Sequence, residues 1–514
     1  MPTAGPTRRS GSRTALCVAF ALSLTAAACS GQADVATARP TSTTTTTTTG
    51  VVTAPDAADD SSAASGFPSS WRPQKLRWSE CEDDDDLECA TLEVPLDWSQ
   101  PEGATLELAL ARKPARRDKL GSLFLNPGGP GGSGIDFLAD AGIDGMVASR
   151  FDLVSWDPRG VGRSSPLRCG SAAKPFLALD PDPDDPAEQQ ALDDAAAAVA
   201  EQCRQLDGNV LAHLGTDDVA RDLEAMRLAV GDPKLNYLGF SYGTFIGTRY
   251  AAMFPTHIRT MVLDGPLDPT ETLTDSLTGQ ARAFEATIER VFASCTKATR
   301  CPVPDLADAY DELRSEVEAS PMKGSKRRTL GPAELATAAV YVAYDHSLWR
   351  HLGPAVAAAL DGDPDEVLDL ADGYYDLGSY TVYQGVECLD SPGPRGAAEW
   401  AAFASGLEAI SPRFGGSIAN EMLPCAFWPV PPHDVTGPVA AAGSPPILVL
   451  GNTGDPATPY ASAERLAAML EAGRLVTYQG EGHTSYGRSD CVDRIVDDYL
   501  VDLTIPQDGA RCRR

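Results

Sequence analysis

The strongest constraint on this chain is a succession of short apolar runs, most of them closing on glycine, aspartate, asparagine or proline, with helical stretches between them. "ATLEVPLDW", "ATLELALARK", "GSLFLNPGG", "FDLVSWDPRG", "LNYLGFS", "IRTMVLDG", "PPILVLGNTGD" and "RLVTYQGEGH" all read as strands. The later ones are apolar without alternation, as expected of parallel strands buried on both faces, and their ends place functional loops at the carboxyl edge of the sheet. "TDDVARDLEAMRLAVGD" reads as a helix leading into the strand before Ser241. Thr216 can cap it, acidic residues fill its first turn, and Val219, Leu223, Met226 and Leu228 line its buried side. This alternation predicts an α/β fold with a mostly parallel central sheet and helices on both faces. The pattern breaks after "VLDGPLDP": residues from about 265 to 444 are rich in alanine and helical spacing and poor in strand signals, and the sheet resumes at Ile447. Such a block predicts an inserted helical cap between core segments 71–264 and 445–514. An independent helical domain is the alternative.

The N-terminus reads as an address. Arg8, Arg9 and Arg13 precede "ALCVAFALSLTAAA", a stretch too short to span a bilayer but suited to a secretory signal over residues 1–28. In "TAAACSG", small residues before Cys29 suggest a lipobox with Cys29 as the lipidated residue, although Ala26 stands where such boxes usually carry leucine; plain A-x-A cleavage is the alternative. Lipidation would tether the protein to the outer face of the cytoplasmic membrane. Residues 29–70, including "TSTTTTTTTG", read as a disordered tether. Removing Cys17 and Cys29 from the 12 cysteines leaves ten, an even number that suits an oxidising compartment and five disulfides. Pairing in chain order closes short or moderate loops: 81 with 89, 169 with 203, 295 with 301, 388 with 425 and 491 with 512.

Charge narrows the partners. Of 514 residues, 42 are Lys or Arg and 72 Asp or Glu, a formal net charge of -30 that repels nucleic acid phosphates. The acidic run at residues 83–86 lacks the spaced ligands and glycine of a calcium loop and reads as a wet loop. No metal or cofactor site is expected.

"NYLGFSYGT" sets Ser241 between Gly239 and Gly243, where a strand turns into a helix. The motif G-x-S-x-G is weak alone in a chain with 46 glycines. Partners in the required order make it informative. Asp455 ends the strand of "ILVLGNTGDPATP", and His483 ends the next in "LVTYQGEGHTSYG". Of the six histidines, only His483 sits in a glycine-flanked turn after a strand that follows the acid. In this arrangement His483 takes the Ser241 proton and Asp455 holds the ring. Oxyanion donors are expected at the Tyr242 backbone N–H and in "NPGGPGGSG", at Gly129. A phosphate cradle is the other reading of that glycine loop, against which Pro130 interrupts the pattern.

Taken in order, "NPGGPGGSG", "FDLVSWDPRGVGRSS", "LNYLGFSYGT", "VLDGPLDP", "CAFWPVPP", "GDPATPY" and "GEGHTS" resemble the actinobacterial tripeptidyl aminopeptidase group of α/β-hydrolases. These are exported serine peptidases related to prolyl aminopeptidases and include cell-envelope lipoproteins. The resemblance runs from about residue 75 to Cys512. It implies an α/β-hydrolase fold, Ser241, Asp455 and His483 as triad, Gly129 and Tyr242 as oxyanion donors, peptide or protein substrates, and release of short peptides from a free N-terminus without a cofactor. Some members are described as carboxylesterases, and a silent envelope binding protein is a third reading. An aminopeptidase needs a carboxylate for the substrate α-ammonium group. In the cap segment "GVECLDSP", Asp390 and, less directly, Glu387 are candidates beside Cys388; solvated surface carboxylates are the alternative. "DPRG" at 157–160 is expected to pack beside the site without a part in the chemistry.

Overall fold

Each expected run forms a strand in the computed structural model, which describes residues 66–82 and 84–513. The signal segment 1–28, Cys29 and residues 29–65 lie outside the described residues. The strands are β1 (Ser79–Glu80), β2 (Glu88–Pro95), β3 (Thr105–Lys113), β4 (Gly121–Asn126), β5 (Phe151–Trp156), β6 (Leu235–Phe240), β7 (Ile258–Asp264), the short β8 (Met322–Lys323) and β9 (Thr329–Leu330), then β10 (Ile447–Gly454), β11 (Gly473–Glu481) and β12 (Ala510–Arg513). Ten of them make one sheet in the order β1-β2-β3-β5-β4-β6-β7-β10-β11-β12. The β1/β2, β2/β3 and β3/β5 pairs are antiparallel. From β5 to β12 every pairing is parallel. The carboxyl ends of β4, β6, β7, β10 and β11 therefore share one rim, and the loops leaving them are neighbours in space.

Strands β4, β5, β6, β7 and β10 are buried on both faces, which explains their unalternating apolar sequences, whereas β2 and β3 alternate buried and exposed residues. Leu92, Trp156 and Tyr237 belong to one core cluster with Val219 and Met226 of the helix Thr216–Val230. Leu123, Phe151, Leu238 and Val262 belong to the other with Val492 and Val496 of the helix Asp490–Asp502. Successive residues Tyr237 and Leu238 thus point to opposite faces. Two details of the Thr216–Val230 helix differ from expectation. Its cap position is Gly215, with Thr216 inside the first turn, and Leu228 is half-buried where Val219, Leu223 and Met226 are buried. The body also begins earlier than residue 71: Phe67 is buried, its ring 4.9 Å from that of Trp98.

Between β7 and β10 the chain is mostly helical, with long helices at Leu273–Lys297, Leu306–Ala319, Pro332–Tyr344, Trp349–Leu360, Asp365–Tyr375, Tyr380–Asp390 and Ala397–Glu408, the β8/β9 pair and an irregular stretch over residues 428–446. The first is capped reciprocally by Thr272 and Asp275. No helix among the described residues is long and apolar enough to cross a membrane.

The "DPRG" arginine has a structural part. Arg159 and Asp222 are both fully buried, with Nε to Oδ2 at 2.5 Å and Nη2 to Oδ1 at 2.7 Å. The guanidinium also donates to the carbonyls of Pro95, Leu96 and His213, and Trp98 Nε1 donates to Asp222. The five disulfides join the cysteines in chain order, as expected.

Non-reducing peptide mapping should recover these pairs and no crossed one. Arg159→Ala should lower unfolding free energy by about 3–5 kcal/mol in urea titration, because it leaves Asp222 charged and unpaired in the core.

Candidate active site

Ser241 stands between β6 and the helix Tyr242–Met253 with φ 53° and ψ -127°, a backbone state that a residue with a Cβ adopts only under constraint. Its N–H donates to the Asp264 carbonyl at 2.9 Å, and its carbonyl accepts from Thr244 N at 2.8 Å. Crowding explains the flanking glycines. A Cβ on Gly239 would stand 2.5 Å from the Gly243 carbonyl oxygen, and one on Gly243 would stand 2.6 Å from that of Asn126. The glycine loop after β4 packs against the same corner: a Cβ on Gly128 would lie 2.6 Å from the Phe240 carbonyl oxygen and 2.9 Å from Ser241 Cβ. Gly128 N–H is taken by Asn126 Oδ1, whereas the N–H groups of Gly129 and Tyr242 bond no other described group. Both residues line the cavity that Ser241 lines.

Asp455 follows β10 and His483 follows β11. His483 Nδ1 lies 2.9 Å from each Asp455 oxygen. Asp455 also accepts from the backbone N–H groups of Ala457, Thr458 and Thr484, which orient the carboxylate. His483 is 9% exposed and its Nε2 has no partner among the described residues. Its N–H donates to the Tyr344 carbonyl at 2.7 Å, and the Tyr344 ring meets the imidazole edge-on. The fold thus brings Ser241, His483, Gly129 and Tyr242 to one cavity, with Asp455 behind the imidazole.

That cavity, about 1160 Å³, runs between the rim of the sheet and the inserted helices. Tyr344, Tyr374, Tyr380 and Tyr383 line its helical side together with Glu387, Asn420 and Glu421. Burial pushes Glu387 up to about 8, with Asp390 and Glu421 adding repulsion, and pushes Glu421 up to about 7 against a hydrogen bond from Tyr380. Asn420 Oδ1 is buried without a donor.

Asp390 requires correction. It does not line the cavity; its carboxylate accepts the Thr216 N–H at 2.9 Å and the Thr216 hydroxyl. That hydroxyl in turn lies 2.5 Å from the phenol oxygen of Tyr242. Asp390 therefore caps the Thr216–Val230 helix from the inserted segment and ties down the side chain that follows Ser241. Glu387, one helical turn earlier, is the residue of that pair facing the cavity. Glu421 and Asn420 carried no usable sequence signal in "IANEMLPC"; only proximity to Cys425, bonded to Cys388, could have linked them to Glu387.

Among the described residues, Asp184, Asp185 and Glu188 alone have metal-ligand spacing. They are exposed and absent from the cavity lining.

The family model described as TAP-like protein matches residues 411–512. Serine protease Hip1 of Mycobacterium tuberculosis is 36% identical over 483 residues, covering 87% of this chain and 91% of that protein. Carboxylesterase B of the same species is 35% identical, covering 82% and 86%. Tripeptidyl aminopeptidase of Streptomyces lividans is 32% identical, covering 83% and 84%. Among solved structures, proline iminopeptidase of Mycobacterium smegmatis aligns with TM-score 0.39 and 14% identity over 80% of this chain and 98% of that one, too low to carry an argument.

Asp390→Ala should destabilise the protein by about 1–3 kcal/mol in denaturant titration, since the buried Thr216 donors lose their acceptor.

Proposed function

Because this chain belongs to the TAP-like family of α/β-hydrolases, we propose that it is an extracytoplasmic serine aminopeptidase that releases short peptides, tripeptides in particular, from free N-termini. The carrying observation is the His483–Asp455 pair, whose outer ring nitrogen is unpartnered in a cavity shared with Ser241 and walled by buried carboxyl groups. An extracytoplasmic place agrees with the five disulfides.

In the proposed reaction Ser241 Oγ attacks the scissile carbonyl as His483 Nε2 takes its proton. Asp455 keeps the proton of the neutral ring on Nδ1 and stabilises the imidazolium that forms. The tetrahedral oxyanion accepts from the free N–H groups of Gly129 and Tyr242, preset donors that need no reorganisation. His483 returns the proton to the leaving amine, and water repeats the cycle on the acyl-enzyme. The inserted helices act as a cap that closes the acyl side of the cavity.

The α-ammonium of the substrate is assigned to Glu387 and Glu421 in place of Asp390, with Asn420 Oδ1 as a neutral third acceptor. Three acceptors suit three ammonium protons. The tyrosines around them supply apolar walls and ring faces for the peptide. Lipidation at Cys29 would hold the enzyme at the membrane, and a free form would be secreted. A second reading, carboxylesterase on the same machinery, is favoured by the 35% identical relative of that name.

The deciding experiment compares a free tripeptide anilide, its N-acetylated form and a short acyl ester. The peptidase reading expects the free anilide to be preferred, and Glu387→Gln with Glu421→Gln to raise its KM at least tenfold while leaving the acetylated form unaffected. Best activity on the ester, or indifference to acetylation, sinks it. The pH dependence has a definite sign. The anchor must be charged, and these carboxyl groups take up protons as pH falls below their raised values of about 8 and 7. KM for the free anilide should therefore begin to climb below about pH 8 and climb further below about pH 7, and KM for the acetylated one should not.

A further inference from the structure

The cavity groups leave one buried acid beside the site without an assigned part. Asp264 ends β7, the strand between those that lead to Ser241 and Asp455. It is fully buried, and no Lys or Arg forms an ion pair with it among the described residues. All its side-chain bonds go to the loop that carries His483. The carboxylate accepts from Ser485 N at 3.0 and 3.1 Å, from Ser485 Oγ at 2.9 Å and from Tyr486 N at 2.8 Å. Its carbonyl accepts the N–H of Ser241. One residue therefore holds the backbone of the nucleophile corner with one end and the backbone just past the imidazole with the other.

That loop needs holding. Thr484, directly after His483, has φ 64°, a left-handed state costly to a β-branched residue unless its surroundings impose it. Asp455 takes the N–H of Thr484 on one side, and Asp264 takes the next two on the other. The two acids thus straddle the strained residue. Their strands, β10 and β7, are adjacent in the sheet. The fit is close there as well: a Cβ on Gly265 would come within 3.2 Å of His483 Cε1. A buried carboxylate with hydrogen-bond donors but no paired cation is still costly, which argues for a use beyond packing. An asparagine would offer one acceptor oxygen where the carboxylate offers two, and its NH₂ would lie against the Ser485 N–H.

We infer that Asp264 is a positioning residue of the hydrolytic reaction, a second acid that locks the His483 loop to the Ser241 corner. The inference rests on Ser241 and His483 being nucleophile and base. Asp264 touches no reacting atom; it fixes the distance across which the proton moves. Misplacing a reacting group by about 1 Å can cost roughly 100-fold.

The test is Asp264→Asn in the full chain, with fluorophosphonate labelling of Ser241, steady-state kinetics on the best substrate of the panel, and a thermal melt. Labelling rate and kcat are expected to fall roughly 30- to 100-fold, with KM within threefold and a cooperative melt retained. Rates within threefold of wild type, or a loss confined to KM, overturn the inference. Should Asp264→Asn fail to fold, Ser485→Ala gives the reading by removing one of the loop's donors; kcat lower by about 3- to 10-fold at unchanged KM with a cooperative melt retained supports the inference, and unchanged kcat overturns it. Wild-type protein that resists labelling overturns the nucleophile reading, and this inference with it. Labelled wild type beside an equally labelled Asp264→Asn overturns this inference alone.

Discussion

Everything in the site hangs on the close approach of backbones at the Ser241 corner. A serine at φ 53° between β6 and its helix projects its side chain clear of the sheet only if the Asn126–Gly128 loop, Gly239 and Gly243 can come within van der Waals contact of one another. The strain is held by packing, by the Asp264 carbonyl and by the helix that starts at Tyr242. Because Gly128 touches the corner itself, the loop bearing Gly129 is held close to Ser241. Ser241, the glycine loop and the start of the Tyr242–Met253 helix are one packed unit.

The inserted helices are fastened to that unit and to the His483 loop. Ser379 N donates to the Gly131 carbonyl, the Tyr344 carbonyl accepts from His483 N, and Asp390 reaches Thr216 and, through it, Tyr242. These contacts come from the end of the Pro332–Tyr344 helix and from both ends of the Tyr380–Asp390 helix, and they meet the histidine loop, the glycine loop and the first turn of a core helix. Helices bonded in this way wall the cavity and also fix the loops beneath them. The disulfide from Cys388 to Cys425 ties the two segments that bear Glu387 and Glu421, so the carboxyl pair at the end of the cavity has a covalent brace.

Much of this was legible from residues alone, for physical reasons. Strands buried on both faces announce themselves as unbroken apolar runs, so β4 to β7 and β10 were readable; β2 and β3 bury alternate residues and β11 only its middle, yet their short apolar runs marked them too. β1, β8, β9 and β12 were not: they span two to four residues, and "ARCR" in β12 pairs as a strand without any apolar pattern. The order serine, acid, histidine at strand ends was readable because each lies on the rim its own strand delivers. Thr216 was read as a cap because threonine before an acidic turn is a local signal; its hydroxyl instead answers Asp390, far along the chain.

Local chemistry, then, determined what could be written into the chain itself: an α/β sheet, a corner demanding glycines, an ordered set of reactive groups and an even set of cysteines. The tertiary structure alone decided which carboxyl groups matter. Asp390 and Glu387 share one helix, yet the first turns to a helix terminus and the second to the cavity, while Glu421 and Asn420 arrive from another segment and Asp264 from a strand end. A carboxylate's meaning depends on burial and on which donors surround it, and those are properties of contacts between distant segments.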